Sequence, residues 1–195
     1  MIYEYHIVLA AIAAVIGLLS FVPYFRDILN GSTKPHIFSW FVWSLLVGIT
    51  FLIQISQGGG IGAWVTGLES ICCFAVTIFA FTRGEKNIIW TDWVCLAGAL
   101  IAIILWQLAH QPLLAVIFLV LADGFGYVPT LVKSYRRPQE ETAAQYALSS
   151  VRWFLGTMAL GSLTLTTWLY PAWAGTLDIS LVATLLIRRK QLKTA

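Results

Sequence analysis

Residues 6–28, HIVLAAIAAVIGLLSFVPYFRDI, carry no charged side chain between His6 and Arg26, and a helix of that length crosses the hydrocarbon core of a bilayer. Six further apolar blocks follow, near 37–56, 62–82, 91–109, 112–132, 143–166 and 170–187. Between them stand the breakers Asn30-Gly31, Gly58-Gly59-Gly60, Arg83-Gly84, His110-Gln111-Pro112, Arg137-Pro138 and Tyr170-Pro171. The pattern predicts an all-α membrane protein with seven transmembrane helices.

Composition agrees. Hydrophobic residues make up 59% of the 195 and charged residues 11%, where a soluble domain carries about a quarter. The net charge of +3 is too small to imply a nucleic-acid partner. Cys72, Cys73 and Cys95 lie in apolar stretches with no ligand spacing, so they read as buried thiols, with no disulfide, metal or cofactor expected. No Lys or Arg precedes the first apolar run, which makes it a poor signal peptide and a good retained helix.

Charge in the loops orients the chain. Arg26 and Lys34 flank the first loop, Arg83 and Lys86 the third, and Lys133, Arg136 and Arg137 the fifth. Arg188, Arg189, Lys190 and Lys193 close the tail, so eleven of the twelve basic residues fall on one side. Basic loops stay cytoplasmic, so the N-terminus is expected outside and the C-terminus inside, with a bacterial inner membrane the expected location. Trp64, Trp90, Trp93, Trp106, Trp168 and Trp173 suit an interfacial belt, and the arginine pairs read as lipid-facing anchors.

The blocks also repeat. Phe21-Val22-Pro23 matches Tyr127-Val128-Pro129, Ser39 and Trp43 match Ser149 and Trp153, and Ala63-Trp64 with Leu68-Glu69 matches Ala172-Trp173 with Leu177-Asp178. The separations are 106, 110 and 109 residues. Two three-helix repeats, 1–88 and 111–195, joined by a linker helix at 89–110, would share one orientation. The second would end in a short basic tail.

Phe21-Val22-Pro23-Tyr24-Phe25-Arg26-Asp27-Ile28-Leu29, then Gly31-Ser32-Thr33-Lys34 and a helix bearing Ser39 and Trp43, resembles the SWEET, SemiSWEET and PQ-loop transporters. The resemblance implies two parallel three-helix bundles plus a linker, with the N-terminus outside. Tyr24 and Thr130 stand where the family's glutamine would, the second and sixth blocks lack proline, and Ala172 replaces a substrate-binding asparagine. It therefore implies the fold, and not sugar as the substrate.

Charged side chains inside a bilayer are costly, so Glu69, Asp123, Arg152 and Asp178 each need a reason. Arg152 is expected to pair with Asp123 or Asp178. One arginine cannot neutralise three acids, so at least one carboxyl should hold a proton or reach water, and Glu69 or Asp178 is the candidate for proton handling. Pro23 and Pro129 each remove a helix hydrogen bond and are candidate hinges, with a static kink as the alternative. Trp43, Trp153, Ser39, Ser149 and Asp123 are candidate cavity residues, against ordinary helix packing. In Thr33-Lys34-Pro35-His36, Thr33 is expected to cap the second helix and His36 to sit at the headgroups, the alternative being a phosphate or substrate contact.

No catalytic triad, phosphate loop or metal motif is present in the sequence. The expected function is transport of a small polar solute by alternating access, with protons as the candidate coupling ion. The alternatives are a non-transporting receptor or accessory protein and, behind it, a membrane-embedded enzyme using Glu69 or Asp123 as a general acid. The oligomeric state is left open.

Overall fold

The computed structural model describes residues 2–108 and 111–194. Among these, seven α-helices and one short 3-10 turn account for nearly all the chain: α1 Ile2–Leu29, α2 Ile37–Ser56, α3 Gly60–Arg83, α4 Trp90–Leu108, α5 Pro112–Arg136, α6 Ala143–Met158 and α7 Leu165–Thr194, with Pro138–Glu140 between α5 and α6. Five of them (α1, α2, α3, α5 and α7) are long and apolar enough to cross a membrane. Their outward faces carry Val15, Leu52, Ile71, Phe74 and Phe81, while Ser20, Thr50, Gln54, Thr77 and Thr130 are buried between helices. Apolar outside and polar inside is the arrangement that lipid selects, and the protein is a helical integral membrane protein.

α3 packs against both α1 and α2, and α7 against both α5 and α6. The two groups meet where α1 lies on α6 and α2 on α5, while α4 rests on α5 and α2. Exchanging α1, α2 and α3 with α5, α6 and α7 leaves the pairings among these six helices unchanged.

The sixth and seventh helices differ from the sequence reading. α6 has 16 residues and ends at Met158, rather than near 166. At about 1.5 Å per residue it spans only about 24 Å, short of a full crossing. α7 starts at Leu165, so Pro171 lies inside it and the expected break at Tyr170-Pro171 is absent. Thr164 and Thr167 start the helix: the Thr164 N–H donates to Thr167 Oγ1 at 3.0 Å, one half of a capping box. Pro171 has no N–H for the carbonyl of Thr167 four residues earlier. That carbonyl instead accepts Gln54 Nε2 from α2 at 3.2 Å, so the proline is tolerated within the helix.

At this end the α2–α3 and α6–α7 loops touch. The Gly161 N–H donates to the Gly59 carbonyl at 3.2 Å. Gly62 lies so close that a Cβ there would stand 2.5 Å from the Ala159 carbonyl oxygen. Only glycine permits that approach.

The basic residues gather at the opposite end, where several of them have protein partners. Arg137 pairs with Glu85 and, at 3.2 Å, with Glu140. Arg189 donates to the carbonyls of Pro138 and Glu141, and Arg188 to that of Tyr135. Trp64, Trp90 and Trp93 are exposed as expected of a belt, whereas the Trp173 indole nitrogen is buried. The Trp106 side chain and His110 lie outside the described residues.

Candidate functional site

Five helices each turn one stripe of side chains toward a common cavity, of about 450 Å³ when all atom-free space including its opening is counted. α2 supplies Trp40, Trp43 and Val47, and α6 supplies Gln145, Ser149 and Trp153 together with Tyr146. These follow the three- and four-residue spacing that keeps side chains on one helix face. α3 adds Glu69 and Cys73, α5 adds Asp123 and Tyr127, and α7 adds Tyr170, Ala174, Leu177 and Asp178.

Of the residues singled out from sequence, Trp43, Ser149, Trp153, Asp123, Glu69 and Asp178 line this one space. Ser39 is fully buried and does not line it. Gln145, Tyr127 and Tyr170 escaped the sequence reading, although Gln145 and Tyr127 stand one helical turn from Ser149 and Asp123.

Arg152 does not take the partner expected of it. Its Nη2 lies 3.0 Å from Glu69 of α3 and donates to Ser149 Oγ at 3.2 Å. The cause is packing: α6 crosses α1 and also touches α3, which brings the guanidinium to the first group of helices. Gly17 of α1 makes the room, since a Cβ there would stand 2.4 Å from Arg152 Cδ. The guanidinium carbon also sits 3.9 Å from the centre of the Trp153 ring, so that ring already serves an internal cation. Arg152 Nε and Nη1 are buried without hydrogen-bond partners.

The acids are unequally served. Glu69 has Arg152, and Asp123 Oδ1 accepts from the Tyr170 hydroxyl at 3.4 Å. Asp178 Oδ2 is buried without a hydrogen-bond partner, as is Gln145 Oε1.

Toward the basic end the cavity runs into a clasp between the two groups of helices. Lys133 of α5 pairs with the buried Glu141 and donates to the Lys34 carbonyl at 2.5 Å. Glu141 also accepts from Tyr146 at 3.1 Å and from Tyr24 of α1 at 3.3 Å. Thr142 donates to Asp27 at 2.9 Å. Its single proton is then used, so Thr33 donates to Thr142 across 2.6 Å. Thr33 therefore fastens the two groups together instead of capping α2, whose N-cap position is taken by His36.

Pro129 is buried and borders a second, smaller pocket beside this clasp, with His36, Glu85, Asp92 and Lys133. Pro23 is half-buried in α1. His36 is buried between helices, with Nε2 3.3 Å from Asp92 Oδ2. Burial holds its imidazole below the ordinary pKa, with Asp92 pulling partly the other way. Burial alone would raise the Glu85 carboxyl. The Asn87 N–H at 2.6 Å and Arg137 outweigh that and keep it below its usual value.

No protein-family model matches the chain, and no match was found among curated proteins or solved structures.

Proposed function

We propose that this protein is a secondary transporter or facilitator of a small polar solute. Two three-helix bundles of SWEET-like or PQ-loop-like design, 1–88 and 111–195, would rock about the cavity between them, joined by the helix at 89–110. The observation that carries the reading is a cavity lined by carboxyl, hydroxyl and aromatic groups within an apolar bundle, with contacts between the two groups of helices at both of its ends. The clasp at one end is polar and breakable, and the glycine contact at the other is backbone against backbone. Both suit surfaces that part and re-form.

In this reading the basic end faces the cytoplasm of a bacterial cell, by the rule that basic loops stay inside. Asp123, Trp43, Ser149 and Trp153 meet the solute, while Glu69 and Asp178 serve the candidate proton step. Pro23 and Pro129 are the hinges. Tyr146 lines the cavity and also donates to Glu141 of the clasp, so a solute that moves it would act on the closure directly.

Flux into proteoliposomes tests this. Solute uptake should fall by about tenfold or more in Asp123→Asn and Pro129→Ala variants that keep the wild-type unfolding midpoint. Undiminished uptake in both would remove the assigned roles. A solute that binds but never crosses would favour the receptor alternative.

A further inference from the structure

No Lys, Arg or His lines the central cavity, although three carboxylates do. Arg152 stands behind them and is committed to Glu69 at 3.0 Å. Asp123 has no basic side chain acting on it and Asp178 only a share of the Arg152 charge that Glu69 engages, and buried charge without full compensation is unfavourable. Two lining side chains, one of them Asp178 itself, also present an acceptor with nothing to accept. Asp178 Oδ2 has no partner, and Gln145, only 2% exposed, has an unpartnered Oε1. The space is therefore short of positive charge, and two acceptors in its wall are unmet.

The walls narrow the kind of cation. Trp40 and Trp43 meet edge to face with ring centres 5.2 Å apart, and Tyr127 and Tyr170 add further rings. The guanidinium of Arg152 over Trp153 shows the same chemistry satisfied inside the protein. Aromatic faces attract organic cations through the ring quadrupole. Among the described residues no three His, Cys, Asp or Glu side chains stand close enough to hold a metal ion. The acids are spread around the cavity, as a larger cation with an ammonium or guanidinium head requires.

We propose that the solute is a small organic cation, its charged head held by Asp123 and Asp178 with Gln145 Oε1, and its carbon frame against Trp43. This rests on the reading of the cavity as the solute's route.

The test uses purified full-length protein near neutral pH and a panel of primary amines from methylamine to benzylamine. Each amine is set beside the alcohol and the carboxylate of the same carbon frame. A ligand that binds the folded state raises the unfolding midpoint by an amount that grows with the logarithm of its concentration over Kd. At least one amine should do so while its alcohol and carboxylate do not. Asp178→Asn and Asp123→Asn should each weaken that amine by about tenfold or more. Equal stabilisation by the alcohol or carboxylate, or no stabilisation by any amine at millimolar concentration, would overturn the proposal. The wild-type comparison stands even if a variant fails to fold.

Uptake of the same compounds into proteoliposomes separates the two claims. An amine that binds without entering leaves the cation site standing and removes transport. An alcohol that enters while no amine binds does the reverse.

Discussion

Replacing Arg152 with methionine should lower stability by about 3–5 kcal/mol, because it leaves the buried Glu69 carboxylate without its cationic partner. The methionine keeps the aliphatic stem that fills the groove at Gly17, so the loss reports on charge more than on packing. Glu69→Gln alone should also be costly, leaving a fully buried guanidinium whose Nε and Nη1 already lack partners. The two changes together should cost less than their sum by at least about 1–2 kcal/mol, since the double variant removes both members of the pair and strands neither. Chemical or thermal unfolding of the four proteins in detergent completes the cycle. Strict additivity would mean that the pair contributes nothing.

The second large effect is expected at the clasp. Lys133→Met should cost about 3–5 kcal/mol by leaving Glu141 charged and buried, with the Lys34 carbonyl deprived of its donor. Tyr24→Phe removes one neutral donor from the same carboxylate and strands Trp40 Nε1, which donates to the Tyr24 hydroxyl at 3.0 Å, so it should cost about 1.5–3 kcal/mol. Unfolding midpoints of the two variants distinguish a closure built on the ion pair from one built on hydroxyl contacts. A Tyr24→Phe loss as large as that of Lys133→Met would reverse the assignment.

Much of the helical layout is legible in sequence because a bilayer segregates residues strongly. The apolar block 37–56 becomes α2 at Ile37–Ser56, bounded by Pro35 on one side and Gly58-Gly59-Gly60 on the other. The boundary between α6 and α7 is not legible, because Pro171 looks like a break. Its tolerance depends on Gln54, more than a hundred residues away, reaching the freed Thr167 carbonyl.

Distance in the chain also hides the ion pairs. Local reasoning places Arg152 with acids of its own half, whereas the crossing of α6 over α1 delivers it to Glu69. The partners of Arg137 and Lys133, namely Glu85, Glu140 and Glu141, are likewise not visible from the basic fifth loop alone. Cavity residues fared better, since intervals of three and four carry from Trp43 to Trp40 and from Ser149 to Gln145. That signal was available in the sequence and points to residues the charge argument alone passes over.

The central claim is that the two ends of the cavity open in alternation. Spin labels at Ser32 and Gln139 report the basic end, and labels at Gln57 and Leu163 the other, in a chain whose Cys72, Cys73 and Cys95 have been replaced. Distances measured between each pair in lipid, with and without a bound solute, test it directly. The account predicts two populations, in which lengthening at one end accompanies a short distance at the other. A single short distance at both ends under every condition, or both ends widening together, would contradict it.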